Sequence, residues 1–509
     1  MSTPRLRSSD LRVLALGALA TLVVAFPVVL PVIARGFNGL YGQDSFFYQA
    51  YATGPLREAL LQLRLPPDFT WPPGFPLLVA LASLIAGTGS LAGQAVSLTA
   101  GASVPLATML LARELDLARP GSRAMIGLAL LAGLVTALTP HLWQSSAVVM
   151  SDTTGLAFAT FGAWAAIRYV RTGSGRWALL AAGAVAFAIE VRWVYALVAV
   201  PLAAIGSVAA RRRPMHIFGA AIAALLVLAP MLIPMAAALG AGRPVPFSIQ
   251  FASHPWDPAN AIRSSFVNAD GRFDFDLPMG LFYLLQPAQL YYLGPVIAVA
   301  AVFGLMVVVR RPRLTTTAVL IGWPLLVLGF LAGDTTQNTR FTLAALPPLA
   351  ILAAVGAVAI LDVFGRMPSQ RALVGRLTVL AVIAFALAVS ALTALRFTDS
   401  FIERQQADVA AIRRLYAGVP AGSRVISFGA TLALRHDGVG AIELYDQTPG
   451  SVVSLVDDDR PTYLIVPRDG LEGQWADEPP GRAFEVLRSV PGVTLIAEEA
   501  NYRLYEVGS

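Results

Sequence analysis

Runs of about twenty apolar residues recur along most of the chain, separated by short polar stretches rich in arginine, glycine and proline. A helical run of that length crosses a hydrocarbon core about 30 Å thick. The pattern predicts spans near 11–34, 91–113, 122–140, 148–170, 176–190, 193–209, 216–239, 284–309, 314–332, 341–363 and 374–396. The apolar run 75–87 is too short for an upright crossing and reads as a re-entrant or tilted segment. After about residue 398 the pattern changes. "FIERQQADVAAIRRLYAG" has the spacing of an amphipathic helix. "SRVISFGA", "GAIELYD", "PTYLIVP", "VTLIAEE" and "YRLYEVG" read as short strands, with "GRAFEVLRSV" a helix between two of them. The expected fold class is therefore a polytopic α-helical membrane protein of about eleven spans plus a re-entrant segment. A small C-terminal α/β extracytoplasmic domain follows. The expected division is 1–398 and 399–509, with long outer loops at 35–74 and 241–283.

Composition agrees. Of 509 residues 56% are hydrophobic and 13% charged, about half the charge of an average soluble protein, and the mean hydropathy is +0.66. The net charge is +6 and every basic residue is arginine. These arginines gather in loops at 112–123, 168–176, 211–216, 310–313 and 365–376, as orientation in a membrane requires, so the basic balance does not point to nucleic acid. All five loops are cytoplasmic if the N-terminus is cytoplasmic and 75–87 does not cross. The loops 35–74, 241–283 and 333–340 and the tail are then outside, the arrangement expected in a bacterial-type inner membrane. The basic start "MSTPRLRSSDLR" precedes about 22 apolar residues with no small-x-small cleavage motif near Ala34, so it reads as a retained first span. With no cysteine, disulfides, thiolate metal sites and thiol nucleophiles are excluded.

Polar clusters collect on the outer face, while the middles of the spans carry almost no charge. Asp44, in "GLYGQDSFFYQAYA", is costly at the end of a span unless it meets water, a partner or a substrate; the simpler reading is a cap for a helix starting near Ser45. Phe47, Tyr48, Tyr51, Leu56 and Leu60 recur at helical spacing, predicting an interfacial helix over the acid. Pro72 and Pro73 forbid its continuation. "TPHLWQSSAVVMSDTTG" carries His141 and Asp152, the first readable as a surface histidine and the second as a helix cap, or either as a substrate contact. Glu190 and Arg192 lie within one apolar stretch. They read as a mutual ion pair, or Arg192 as a phosphate ligand. Gln337 and Arg340 share a short outer loop with Asp334 and Asn338. An arginine entering a span from outside suits a phosphate head-group, or simply snorkels to lipid. The loop 241–283 holds Asp257, Asp270, Asp274 and Asp276. Its "DFD" spacing is one a divalent metal could use but is common in loops, and no cofactor is expected. The run 457–459 reads as a solvated loop. No nucleotide-binding glycine fingerprint or zinc-ligand pair is present.

Taken in order, "YGQDSFFYQAYA", "WPPGFPLLVAL", "LARELDLARPGSRAMIGLALLAGLVTALTP", "VVMSDTTGLAF", "VRWVYALVAVP" and "RFTLAALPPLAILAAVG" resemble the GT-C superfamily of membrane glycosyltransferases. The likeness is to the bacterial members grouped with protein O-mannosyltransferases and aminoarabinose transferases, and it covers most of 35–363. The resemblance implies a polyprenyl-phosphate-linked sugar as donor. It matches Asp44 to the family's first-loop catalytic acid, Arg340 to the arginine that holds the donor phosphate, and Asp152 to a second acidic position. Many members carry two acids in the first-loop motif; here Gln43 precedes Asp44, which argues against a two-acid metal site. The expected substrate contacts are Arg340, Arg192, Asp152, His141, Tyr48 and Gln337, with Asp44 as general base in an inverting transfer. The expected partners are the donor, membrane lipid, and a glycan, lipid or protein acceptor. A flippase for a lipid-linked sugar and a non-catalytic envelope assembly protein are the alternatives. The first needs polar residues along a path through the spans, and the second tolerates loss of Asp44.

Overall fold

The computed structural model describes residues 8–115, 117, 123–456, 460–468 and 470–507. The acidic run 457–459, the first seven residues and most of the polar stretch between 115 and 123 lie outside the described residues.

Most of the expected apolar runs are helices: Ser8–Arg35, Leu91–Glu114, Arg123–Ala137, Asp152–Thr172, Gly175–Val191, Tyr195–Ala210, Pro214–Gly240 and Pro295–Arg310. Leu314–Ala332, Thr339–Gly365 and the 49-residue Ser369–Ala417 complete the bundle. Among the described residues, five helices are long and apolar enough to cross a membrane. A sixth is gained if the bent pair Ala124–Ala137 and Pro140–Ala147 is one span. Gly175–Val191, Tyr195–Ala210 and Pro295–Arg310 have only 17, 16 and 16 residues, short of an upright crossing. The helical membrane architecture is thus present, and the fuller number of eleven spans is not reached by length and apolarity alone. The 55° bend has a local cause. Pro140 has no N–H to donate and forces Thr139 into an extended conformation (φ −72°, ψ 118°). The short apolar run forms the 13-residue helix Gly74–Ala86.

Small residues let the helices approach. A Cβ on Gly304 would overlap the Leu352 carbonyl, and one on Gly356 the Ala300 carbonyl, so Pro295–Arg310 and Leu346–Gly365 pack backbone to backbone. Gly74 lies as close to the chain at the end of Gly175–Val191: a Cβ there would stand 2.6 Å from the Glu190 carbonyl oxygen.

The C-terminal region holds a five-stranded mixed sheet built from β3 (Arg424–Ser427), β4 (Ile442–Glu443), β5 (Thr462–Pro467), β6 (Thr494–Glu499) and β7 (Tyr502–Val507), in the order β4-β3-β5-β7-β6. β3 pairs in parallel with β4 and β5, whereas β7 is antiparallel to both of its neighbours. β5 is buried along almost its whole length, as a central apolar strand should be. Helix Pro479–Ser489 buries Ala483, Phe484 and Leu487, the last four and three residues beyond the first two, against Ile426, Leu464, Val466 and Tyr505. Helices Thr431–His436 and Pro449–Val456 join the expected elements. The expected division near residue 398 falls inside Ser369–Ala417, so one continuous helix links the bundle to the sheet region. A second element outside the sequence reading is the hairpin β1 (Ser265–Asn268) and β2 (Gly271–Asp274) in the loop 241–283. Its tip turns through Gly271 at φ +100°, a conformation that favours glycine.

Candidate active site

Asp44 opens the helix Asp44–Tyr51. The chain reaches it through Gly39 and Gly42 at φ +78° and +54°, turns that only glycine makes without strain. The Gly39 carbonyl accepts the Val149 N–H at 2.9 Å, and the Gln94 amide donates to Phe37 O at 3.1 Å and to Ala147 O at 3.0 Å. Gln94, an ordinary polar residue in an apolar run, thus ties the first loop to the connection that carries Asp152. The cap position falls on Gln43, so Asp44 stands one residue inside the helix rather than capping it. The expected amphipathic helix changes register at Pro55, where Ala52–Leu56 widens into a π turn before Arg57–Leu61. Tyr48 is buried against Trp71, 4.8 Å between ring centroids, with its hydroxyl 3.3 Å from Ser151 Oγ. Burial pushes that phenol up to about 12.

Asp152 follows the cap residue Ser151 at the start of Asp152–Thr172 and is 3% exposed. It is therefore not the cap of that helix. Its carboxylate takes an ion pair from Arg192 and a second from Arg340 Nε at 3.6 Å. Arg192 sits in the break between Gly175–Val191 and Tyr195–Ala210, where its extended backbone (φ −160°, ψ 127°) separates it from the preceding helix. The pairing of Glu190 with Arg192 expected from sequence is overturned. Arg192 pairs with Asp152, while Glu190 is 1% exposed and has no ion-pair partner among the described residues. The helix end between the two residues directs them to different surroundings.

Arg340 lies in the 3₁₀ turn Thr339–Ala345, whose first N–H groups are met by Asn338: its side chain accepts from Arg340 N at 3.0 Å. The guanidinium reaches Asp44 Oδ2 at 3.5 Å and donates to the Tyr41 hydroxyl at 3.3 Å. Arg192 and Arg340 both stand over the Phe341 ring, at 4.8 and 5.6 Å from its centroid. Four segments separated by as much as 296 residues thus bring two carboxylates and two guanidiniums into one cluster.

The cluster faces a cavity of about 490 Å³. Asp44, Tyr48, Arg192 and Arg340 line it, with Trp71, Trp193 and Phe341 as apolar wall. The other expected contacts do not reach it. His141 is buried, with Nε2 2.8 Å from Thr339 Oγ1, and so braces the turn that carries Arg340. Gln337 donates to the Leu277 carbonyl at 2.6 Å and fastens the loop 241–283. His254, Trp256, Asp270 and Asp334 also line the cavity. In the sequence Asp334 reads only as a neighbour of Arg340 and Asp270 only as a loop acid. His254 carried no periodic or motif signal. Asp257 instead caps a 3₁₀ turn, accepting from Ala259 N at 2.8 Å, and Asp274 lies 3.6 Å from Arg272. Among the described residues no group of three or more histidines, cysteines or acids is placed to hold a metal.

The C-terminal sheet region touches the elements that carry the site. Gln43 Oε1 accepts from Leu432 N at 3.3 Å, and His436 packs on Phe46 at 5.5 Å between centroids.

No protein-family profile and no curated protein sequence matches the chain. Solved structures do. ArnT from Cupriavidus metallidurans bound to undecaprenyl phosphate aligns with 96% of this chain and 98% of its own, at a TM-score of 0.61 and 13% identity. The archaeal oligosaccharyltransferase AglB from Archaeoglobus fulgidus, in complex with an inhibitory peptide and a dolichol-phosphate, aligns with 96% of this chain and 74% of its own, at 0.57 and 12%. At this identity the likeness speaks for the fold alone, and over nearly its whole length the chain shares the fold of these two proteins.

Proposed function

We propose that the protein is an integral membrane glycosyltransferase that moves a sugar from a polyprenyl-phosphate donor to a glycan, lipid or protein acceptor. The observation that carries this reading is the meeting of Asp44, Arg192 and Arg340 at one cavity wall, with Asp152 buried behind the two guanidiniums and paired to both. The fold it shares with a protein that binds undecaprenyl phosphate adds support.

The two carboxylates are suited to different tasks. Asp152 is 3% exposed and engaged by both arginines, so it serves as the counter-charge that keeps two guanidiniums side by side. Asp44 is 44% exposed with one arginine contact at 3.5 Å, free to meet a substrate. In the proposed step an acceptor hydroxyl attacks the anomeric carbon and Asp44 takes its proton. The bond from the anomeric carbon to the phosphate oxygen breaks, and its electron pair leaves with the lipid phosphate. Arg340 and Arg192 stabilise the charge that develops there. A single displacement inverts the anomeric centre. Asp152, held by two arginines, is not free to form a covalent sugar intermediate, which favours inversion over retention. Tyr48 and Trp71 supply an apolar wall beside the reacting groups.

For topology we propose eleven spans in a bacterial-type inner membrane, with the N-terminus cytoplasmic and residues 399–509 outside, following the arginine-rich loops. The cavity then opens at the outer surface, where the tail of a lipid donor stays in the bilayer and its head enters.

The test is release of undecaprenyl phosphate by purified protein in lipid nanodiscs, given a panel of undecaprenyl-phosphate pentoses and hexoses and an envelope extract. Wild type should release it, and folded Asp44→Asn should be about 10² to 10⁴ times slower. Equal rates would remove Asp44 from the chemistry. No release from any donor would refute the transferase reading.

A further inference from the structure

We propose that His254, Trp256, Asp270 and Asp334 form a second subsite of this cavity that reads the hydroxyl groups of a sugar ring. The inference rests on the transferase reading and adds to it where a sugar is recognised.

These four residues line the same cavity as the arginines but come from other segments, the stretch 250–270 and the loop 333–338. No ion pair joins them to Arg192 or Arg340 among the described residues. His254 Nε2 contacts Asp270 Oδ2 at 2.9 Å. Asp334 has no ion-pair partner among the described residues, and its carboxylate is met by the backbone N–H groups of Thr335, at 2.6 Å, and Thr336. Trp256 is 40% exposed. Its indole N–H is bound to the Phe330 carbonyl at 2.7 Å, and its ring stacks on Phe330 at 5.9 Å and 11°. That placement requires a residue without a side chain beneath the indole: a Cβ on Gly333 would overlap it.

Hydrogen bonds from two sides hold the wall. Asn268 donates to Thr335 Oγ1 at 3.0 Å, tying the hairpin to the loop of Asp334. From the C-terminal region, Tyr445 donates to the Ala269 carbonyl at 3.2 Å. Gln474 donates to the Asp270 carbonyl and accepts from Arg272 N. The sheet region thus fixes the hairpin tip that carries Asp270.

The chemistry selects among ligands. Two carboxylates repel phosphate, which is drawn to the arginines. The cavity therefore has a cationic wall and an acid-lined wall, matching a ligand with an anionic link at one end and hydroxyl groups at the other. Carboxylates accept hydroxyl protons, His254 can donate, and a flat indole offers an apolar surface to the C–H face of a ring.

The ring could be the donor's sugar or a sugar of the acceptor, and the experiment separates them. Affinities of nanodisc-embedded protein are measured for undecaprenyl phosphate and for its glycosylated forms, with KM for the acceptor, in wild type, Asp334→Asn and His254→Gln. If the donor sugar is read here, both variants lose about tenfold of the preference for glycosylated over bare lipid. Binding of the bare lipid is unchanged. If an acceptor sugar is read here, that preference is kept and the acceptor KM rises by a similar factor. Unaltered preference and KM in both variants overturn the subsite while leaving the transferase reading intact. Wild type that binds neither lipid refutes both. Arg340→Ala, which should weaken bare and glycosylated lipid alike, marks the phosphate end separately.

Discussion

Replacing Asp152 with asparagine tests whether this acid works as a counter-charge or as a reacting group. Asp152 is 3% exposed, and its two arginine partners are 20% and 21% exposed. At the 3.6 Å separation from Arg340, a unit charge pair in an effective dielectric of about 20 is worth about 4 to 5 kcal/mol. Removing one partner of such a pair leaves a poorly hydrated charge, at a cost of about 3 to 5 kcal/mol. Asp44 differs. Its carboxylate is 44% exposed at 3.5 Å from Arg340, and solvent screening limits that pair to about 1 kcal/mol or less. Asp152→Asn should therefore lower the unfolding midpoint in detergent far more than Asp44→Asn does. Undecaprenyl phosphate supplies a replacement anion to the orphaned guanidiniums, so it should protect Asp152→Asn against unfolding more strongly than it protects wild type. The assay is a denaturation series followed by intrinsic fluorescence, with and without the lipid phosphate. Equal midpoints for Asp152→Asn and wild type, or equal protection of the two by the lipid, would refute the counter-charge argument.

Other consequences follow from local geometry. Gly356→Leu should disrupt the backbone contact with Pro295–Arg310 and cost at least about 1 to 3 kcal/mol, read as lost monodisperse protein on size exclusion. Gly74→Ala should cost less, because one methyl must be accommodated 2.6 Å from the Glu190 carbonyl; the midpoint shift should be the smaller of the two. The contact with Asp270 raises the His254 pKa above its ordinary value against the opposing effect of burial, with Asp334 adding to the rise. A histidine raised by folding stabilises the fold fully below about pH 6.5, and that contribution fades as pH climbs through the raised value. Hydrogen exchange in the hairpin 265–274 should therefore be slowest, relative to intrinsic rates, in mildly acidic buffer, with His254→Gln removing the pH dependence. A pH-independent protection factor in wild type would contradict it.

Much of the bundle was written in the apolar periodicity. Leu91–Glu114, Leu314–Ala332 and Pro214–Gly240 match their expected runs to within a few residues, because a run of apolar side chains has few alternatives to a helix in a membrane. The short run at 75–87 was legible for the same reason: 13 residues cannot reach across. The strands of the C-terminal sheet were visible as alternating segments. The hairpin 265–274 was not, since its four-residue strands are flanked by polar loop and carry too few positions for a period to show. At the site, Asp44 and Arg340 stood out because ionisable residues at the ends of apolar runs need a reason. His254 and Gln94 gave no such signal: each is an ordinary polar residue whose role comes from what folds against it.

Sequence by itself determined that this chain is a helical membrane protein with its charge gathered at the ends of its spans, because transfer of apolar and charged groups between water and lipid depends on side chains one run at a time. Which charges meet is a different matter. Glu190 and Arg192 are neighbours in the chain yet do not pair, while Arg340 reaches Asp44 and Asp152 from 296 and 188 residues away. Those partnerships are set by a break in one helix at Arg192, by a 3₁₀ turn at Arg340, and by glycine turns before Asp44. Only the packed bundle decides them, because an ion pair depends on the distance between charges in space, and helix packing, not chain order, sets that distance.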